Sequence, residues 1–108
     1  MPTVYVPHLG NNARMDLTDA KRFGDLHVIF RRELYPDTAQ DEMPAAILKA
    51  AFDLRNFNSE GDFLCLVGAP VMMTVCALVL GAAGIKTLRV LRFDRAEGAY
   101  YPITMQLS

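Results

Sequence analysis

Hydrophobic and polar residues follow each other in a regular order along the chain, and their spacing predicts both strands and helices. Residues 3–9 alternate apolar and polar side chains, as a half-buried strand does. Pro7 has no N–H for a strand ladder, so we expect this strand to lie at a sheet edge or to end near Pro7. A turn at 10–12, a short helix at 16–24 and a second strand at 25–30 are predicted next.

The clearest amphipathic pattern covers residues 41–57 and predicts a helix. Apolar side chains recur there every three or four residues, while charged side chains occupy the other faces. Asp41 and Glu42 suit the positive end of the helix dipole, and Pro44 is tolerated if it lies in the first turn. The apolar positions are Met43, Ile47, Ala50, Ala51 and Leu54.

The pattern that follows decides the predicted architecture. A continuous apolar strand at 63–67, a turn at 68–70, a helix at 71–83 and a strand at 86–93 form a βαβ unit. Such units are almost always right-handed, and the two strands that they join are parallel. The first strand shows no polar alternation, which is typical of a parallel strand covered on both faces.

The end of the chain predicts a hairpin added to this unit. Residues 94–98 are typical of a hairpin turn, and residues 100–107 alternate as a strand does. Pro102 suits an edge strand, which we expect to be antiparallel to the strand before it. The whole pattern therefore predicts a single α/β domain over residues 1–108, with a mixed sheet of about five strands, two main helices and a C-terminal βαβ-β hairpin unit.

One uncharged segment, residues 63–85, has the length of a transmembrane helix. The turn at 68–70 interrupts it, and the helix that remains is too short to cross a bilayer. We therefore expect a strand, a turn and a buried helix, and no association with a membrane.

Composition narrows the function classes. The 108 residues carry a net charge of −1, which does not resemble the strongly basic footprint of a dedicated duplex-DNA binder. Cys65 and Cys76 lie in apolar runs without metal-ligand spacing, so we expect buried free thiols in a reducing compartment. Pro2, Pro7 and His8 at the start are unlike a signal peptide. These features predict a cytoplasmic protein with no metal and no cofactor.

The turn Gly68-Ala69-Pro70 is the first candidate ligand site. It joins the carboxyl end of a strand to the amino end of a helix, where free N–H groups and the helix dipole attract anions. Its spacing matches neither a P-loop nor a dinucleotide fingerprint. Two interpretations stay open: a purely structural turn, and a site for a small nucleotide or another anion.

The helix at 71–83 is the candidate oligomer surface. Thr74 is its only polar side chain, and a helix that is hydrophobic on every side is expected to be buried on every side. The apolar fraction of the chain, 52%, also exceeds what a small domain needs for its core. Placement in the core and an interface between copies both remain open, and we expect a homo-oligomer.

Arginine residues form a candidate nucleic-acid surface. Arg89, Arg92 and Arg95 lie on or just after the strand at 86–93, with aromatic residues nearby in sequence. Cations that follow a phosphate backbone, with bases stacked on aromatic rings, are typical of single-strand binders. Interleaved Asp94 and Glu97 weaken that hypothesis, and solvated or salt-bridged roles remain open.

No catalytic residues are predicted. His8 and His27 could act as bases, but neither has a nucleophile or metal-type companion at a diagnostic spacing. The acidic residues show no paired-carboxylate pattern either. Whether the protein is an enzyme stays open, with binding favoured over catalysis.

Three segments carry a resemblance to a known group of proteins. The segments are Asp16-x-Thr18-x-Ala20-x-x-Phe23-Gly24-Asp25-Leu26, Gly61-Asp62-Phe63-Leu64-x-Leu66-x-Gly68-x-Pro70, and Leu88-x-x-Leu91-x-Phe93-Asp94-Arg95 followed by Tyr100 or Tyr101. In these turn and strand patterns the chain resembles small uncharacterised bacteriophage accessory proteins. The resemblance implies a location in the cytoplasm of the host bacterium and carries no activity to any residue.

These observations lead to one main hypothesis and two alternatives. The main hypothesis is a non-enzymatic phage accessory protein that forms a homodimer and binds a macromolecular partner such as a host protein. The first alternative is a protein that binds single-stranded nucleic acid through Arg89, Arg92 and Arg95. The second is a small-nucleotide or anion binder at Gly68, Ala69 and Pro70.

Overall fold

The protein folds around one five-stranded sheet, as the hydrophobic pattern predicts. The computed structural model describes residues 1–9 and 17–107. The predicted turn at 10–12 and the start of the predicted helix at 16–24 therefore lie outside the described residues. The strands are β1 (Thr3–His8), β2 (Asp25–Phe30), β3 (Phe63–Cys65), β4 (Thr87–Asp94) and β5 (Ala99–Gln106), and the helices are a 3-10 helix (Asp19–Phe23), α1 (Ala39–Asp53) and α2 (Pro70–Ala82).

The strands lie in the order β2-β1-β3-β4-β5. The first four are parallel to their neighbours, and β5 is antiparallel to β4 at the edge, as Pro102 predicts. In the predicted βαβ unit, β3 and β4 are adjacent, with Leu64 opposite Val90. The α/β class, the mixed sheet of five strands and the two main helices are confirmed.

Pro7 does not place β1 at an edge of the sheet. β1 lies between β2 and β3, and the alternative expectation, that the strand ends near Pro7, describes it better. Its pairing with β3 reaches only Val4 and Tyr5, so the missing N–H of Pro7 lies beyond the last pair of that ladder. β1 ends at His8, one residue later.

Helix α1 begins two residues before the predicted start. Thr38 donates its hydroxyl to Glu42, and the Glu42 N–H donates to the Thr38 carbonyl, so the first turn forms around this pair. Pro44 consequently lies in the second turn rather than in the first. It is exposed to solvent there.

Two hydrophobic clusters cover the two faces of the sheet. On one face, α1 and α2 lie side by side, with α1 in contact with β2 and α2 in contact with β1, and Ala50 and Val75 are among the residues buried there. On the other face, Ala20 of the 3-10 helix packs against Val4 and Leu91. The two main helices therefore share one face of the sheet, and the 3-10 helix lies on the opposite face.

Helix α2 is covered on only one side, although its composition predicts burial on every side. Its buried residues, which face the sheet and α1, are Met72, Val75, Cys76, Val79 and Leu80. The opposite side, which includes Thr74, Ala77 and Leu78, is exposed in the single chain. Within residues 1–9 and 17–107, no helix combines the length and the apolar character needed to cross a membrane.

Candidate functional site

A concave surface lies between edge strand β2 and helix α1, and we call it the β2–α1 groove. It encloses about 560 Å³, which is within the range of binding clefts. Its walls are the main chain and side chains of β2, one side of α1 and the connection between them. The lining residues are His27, Val28, Ile29, Phe30, Arg31, Arg32, Leu34, Glu42, Ala45, Ala46, Lys49, Asp53 and Met72.

One end of the groove is held by the carboxylate of Asp53. This carboxylate accepts hydrogen bonds from the Lys49 ammonium at 2.8 Å and lies 3.1 Å from Nε2 of His27. The side chain of Asp53 is only 5% exposed, whereas about half of each partner is in solvent. Burial alone would raise the pKa of Asp53, but the bonds from Lys49 and His27 lower the pKa below its usual value. Asp53 therefore stays ionised and holds both side chains in place.

The other end of the groove is held by a pair between Arg32 and Glu42. The guanidinium donates to the carboxylate at 2.6 Å, and the same carboxylate accepts from the Tyr35 N–H at 3.3 Å. The bond to Arg32 is the main reason why the pKa of Glu42 is lowered, and the Thr38 hydroxyl lowers it further. The guanidinium carbon of Arg32 also lies 4.5 Å from the centre of the Tyr35 ring. This network orders the connection between β2 and α1.

β2 lies at an edge of the sheet, and among residues 1–9 and 17–107 no strand pairs with the main-chain groups on its outer side. The Asp25 N–H donates to the Pro2 carbonyl on the β1 side at 2.9 Å. Because successive residues of a strand direct their main-chain groups to opposite sides, Leu26 and Val28 direct theirs away from β1. Val28 lines the groove even though its side chain packs on the opposite face of the sheet. Its contribution to the groove is therefore its main chain.

The groove carries a surplus of positive charge. Three permanent cations, Arg31, Arg32 and Lys49, face two carboxylates, those of Glu42 and Asp53. Arg32 and Lys49 each have a carboxylate partner, whereas Arg31 is exposed and has no hydrogen-bond or ion-pair partner within the described ranges. A ligand of negative charge would therefore meet a cation that is not already neutralised.

The turn Gly68-Ala69-Pro70 lies at the topological switch point of the sheet. Here the connection from β1 leads to one face and the connection from β3 leads to the other, and open α/β folds commonly bind ligands at such points. The Ala69 N–H donates to Nδ1 of the buried His8 at 2.9 Å, and the Ala69 carbonyl accepts from the first turn of α2. The imidazole of His8 therefore already accepts the one N–H that Ala69 offers at this turn.

The three arginines of the candidate nucleic-acid surface do not share a face. Arg89 and Arg92 are three residues apart on β4, so their side chains project to opposite sides of the sheet. Arg89 lies 4.3 Å from the centre of the Phe63 ring and donates to the Glu60 carbonyl. Arg92 is exposed on the helix-covered side, and Arg95 lies in the turn between β4 and β5.

The two cysteines are buried free thiols. Burial raises the pKa of each to about 12, and at Cys65 the neighbouring Tyr100 side chain only partly opposes that rise. Both thiols therefore stay protonated at neutral pH. In the part of the chain that the structure describes, no group of three or more His, Cys, Asp and Glu side chains is arranged to hold a metal ion.

Comparison with protein families shows one matching family. The family model described as "Phage Pam3 gp32-like protein" matches residues 2–107, which is almost the whole chain. The chain belongs to this family. The predicted resemblance to small phage proteins is thereby confirmed. No curated protein and no solved structure matches the chain.

The groove was missed by the sequence analysis of this family member, although parts of it were visible. Glu42, Lys49 and Asp53 recur at spacings that place them on one side of α1, and Arg31 and Arg32 directly follow β2. What joins these two sets is the position of β2 at the sheet edge beside α1. Strand order cannot be obtained from spacing along the chain, so the two sets could not be combined.

Proposed function

We propose that this phage-family protein is a non-enzymatic accessory protein that forms a homodimer and binds another macromolecule. The observation that carries the proposal is an apolar surface on the outer side of the two main helices, bordered by Arg55, whose guanidinium carbon lies 4.0 Å from the centre of the Phe52 ring. We define this helix face by Leu48 and Phe52 of α1 together with Thr74, Ala77, Leu78 and Gly81 of α2. All six residues are exposed in the single chain.

The large apolar side chains of the helix face are unusually open to water. Leu48 is 72% exposed, and Phe52 and Leu78 are each 62% exposed. Single exposed apolar residues are common, but several on adjacent helices form a patch, and patches of this kind usually mark interaction sites. α2 contributes no charged side chain to it. A second copy of the chain would supply a matching apolar surface across a two-fold axis.

Sedimentation equilibrium at micromolar concentration tests the homodimer. We expect a dimer for the natural chain and a folded monomer for Leu78→Glu, because a buried unpaired carboxylate would cost several kcal/mol at the interface. Ala96→Glu is the matched control, since it adds the same charge at an exposed residue of the β4–β5 turn and should remain dimeric. A natural chain that stays monomeric at about 100 μM would contradict the dimer, as would an unchanged dimer of Leu78→Glu.

The two alternatives receive less support. Arg89, Arg92 and Arg95 project in different directions, which does not favour a single track for one nucleic-acid strand. At Gly68, Ala69 and Pro70, the His8 imidazole already accepts a hydrogen bond from the Ala69 N–H, so fewer free N–H groups remain to bind an anion. A steep salt dependence of oligonucleotide binding, or a thermal shift with a nucleotide, would favour these alternatives over protein binding.

A further inference from the structure

We infer that the β2–α1 groove binds an extended acidic segment of another protein, which joins the sheet as a sixth strand beside β2. The inference deepens the proposed function by naming the kind of macromolecule that is bound and the surface that binds it. It rests on the binding part of that proposal and does not depend on the homodimer. The helix face and the groove are different surfaces, so each can be tested while the other is intact.

Main-chain hydrogen bonds at the β2 edge supply the first argument. Leu26 and Val28 direct their N–H and C=O groups to the open side of the sheet, as the bond from Asp25 to Pro2 requires. An added strand would pair these groups without regard to its side chains, as in other cases of strand addition. A small ligand could satisfy only some of them.

The length of the groove supplies the second argument. Its two ends are marked on α1 by Glu42 and Asp53, which are about 16 Å apart at 1.5 Å per helical residue. About five residues of an extended chain cover that distance at roughly 3.3 Å each. Between the ends the lining combines apolar surface from Ile29, Leu34 and Ala46 with the cation Lys49. An added strand would place every second side chain on this apolar surface.

The charge of the groove decides the chemistry of the segment. Arg31 is an exposed cation without a partner among the described residues, and Lys49 shares its carboxylate, Asp53, with His27. Aspartate or glutamate side chains of an added strand would pair with Arg31 and with Lys49. A basic segment would instead meet a surplus of like charge. The groove therefore favours an acidic partner.

A peptide selection tests the inference. A random library of 12-residue peptides is displayed on yeast, and peptides that bind the full-length protein are selected. We expect the selected peptides to alternate apolar residues with Asp or Glu and to bind as isolated peptides with micromolar Kd. Amide chemical shifts of the labelled protein should change at residues 26–32 and along the groove side of α1. Binding should weaken by about tenfold or more when salt is raised from 50 to 500 mM, because charge pairs at a surface are screened.

Two substitutions locate the peptide on the protein. Val28→Pro removes one outward N–H and is tolerated at a sheet edge, so we expect at least tenfold weaker binding by a folded protein, whereas Val28→Thr keeps the N–H and should bind normally. Arg31→Glu should weaken binding at least tenfold. Its control, Arg95→Glu, makes the same charge change in the β4–β5 turn and should leave binding unchanged.

Modified peptides keep the test decisive if Val28→Pro fails to fold. Two peptides are compared, one methylated at the nitrogens of its odd-numbered residues and one at those of its even-numbered residues. Only one of these two sets of N–H groups faces β2, so methylation should abolish binding to the natural chain in one register and not in the other. Equal effects in both registers would overturn strand addition. A side-chain-only mode of binding would produce no effect in either register, and that result would also overturn it.

The remaining outcomes also decide the inference. It fails if no peptide is enriched, if the enriched peptides are basic, or if binding survives both Val28→Pro and Arg31→Glu. It fails as well if a dT15 oligonucleotide shifts the same amides while the selected peptides do not, since the groove would then be a nucleic-acid site. Loss of the dimer in Leu78→Glu should leave peptide affinity unchanged, so failure of the groove and failure of the dimer can be distinguished.

Discussion

The main-chain N–H of Tyr100 donates a hydrogen bond of 2.6 Å to the carboxylate of Asp19. This bond joins edge strand β5 to the 3-10 helix, which lies far from β5 along the sequence. Arg22 completes the contact by donating to the Tyr100 carbonyl at 2.5 Å and to Asp19 at 3.0 Å. The Leu107 N–H faces β4, so alternate residues such as Tyr100 and Pro102 direct their main chain outward. Pro102 has no N–H to offer there. The β5 edge is therefore partly closed against pairing with other strands.

Replacement of Asp19 should weaken this edge. In Asp19→Ala the Tyr100 N–H loses its acceptor and Arg22 loses its carboxylate, so we expect the free energy of unfolding to fall by about 1–3 kcal/mol. Urea denaturation followed by circular dichroism measures the change. Asp37→Ala, at an exposed residue without a hydrogen-bond partner among the described residues, is the control and should change stability by less than about 0.5 kcal/mol. Equal stability of the two variants would show that the Asp19 contact contributes nothing.

Stability should also depend on pH through Asp53. Burial would raise its pKa, but the bonds from Lys49 and His27 lower it below the value of an unfolded aspartate, which is about 3.9. Protons therefore bind the unfolded state more readily, and the stabilisation is present above about pH 4 and is lost as pH falls below that value. Urea midpoints between pH 7 and pH 2.5 should fall less steeply for Asp53→Asn than for the natural chain. Asp37→Asn should keep the natural slope, and an unchanged slope in Asp53→Asn would contradict the assignment.

The sequence predicts the parts of the fold that depend on local pattern. The uninterrupted apolar run of β3 correctly predicted a parallel strand, and the alternation of β5 correctly predicted a strand. Pro102 correctly indicated that β5 lies at an edge. Pro7 was less informative, because a proline near the end of a strand fits a central strand as well as an edge. For α2 the sequence left two possibilities open, placement in the core and an interface between copies, since composition cannot distinguish a helix covered by its own chain from one with a face left open.

The candidate sites show the same division between local and distant information. The turn at Gly68 was found because a strand-turn-helix pattern is local. The arginines were grouped by their nearness in sequence, yet strand geometry separates Arg89 from Arg92. The β2–α1 groove depends on the order of the strands, which brings Arg31 and Lys49 into one groove although they are far apart along the chain. Only the folded arrangement reveals that juxtaposition.

The buried thiols should be inert in the folded protein. Burial raises the pKa of Cys65 and Cys76 to about 12, so the thiolate that reacts with Ellman's reagent is scarcely populated at pH 7.5. We expect no rapid reaction of the native chain and two equivalents of released thiolate in 8 M urea. Ala96→Cys, in the exposed β4–β5 turn, is the positive control and should react at once with one equivalent. Rapid reaction of a natural cysteine without denaturant would contradict its burial.

Two features should require glycine at residue 68: its positive φ and the close approach of His8 to its Cα. Gly68 has φ +95°, and a Cβ built there would lie 2.5 Å from the Cβ of His8 and closer still to the His8 carbonyl oxygen. Gly84 has a similar φ of +87°, but a Cβ there would meet nothing within 4 Å. Both Gly→Ala variants therefore carry the strain of a positive φ, roughly 1–2 kcal/mol, and only Gly68→Ala adds a clash with main chain.

Urea denaturation of the two variants separates these effects. Gly84→Ala should lose about 1 kcal/mol, whereas Gly68→Ala should lose at least about 3 kcal/mol, because β1 and the turn before α2 must move apart. That movement should also break the bond from the Ala69 N–H to Nδ1 of His8, so the ring resonances of His8 should shift in Gly68→Ala and not in Gly84→Ala. Equal losses in the two variants would mean that backbone strain alone requires glycine at this turn. The tight contact between Gly68 and His8 would then have no part in holding β1 against β3.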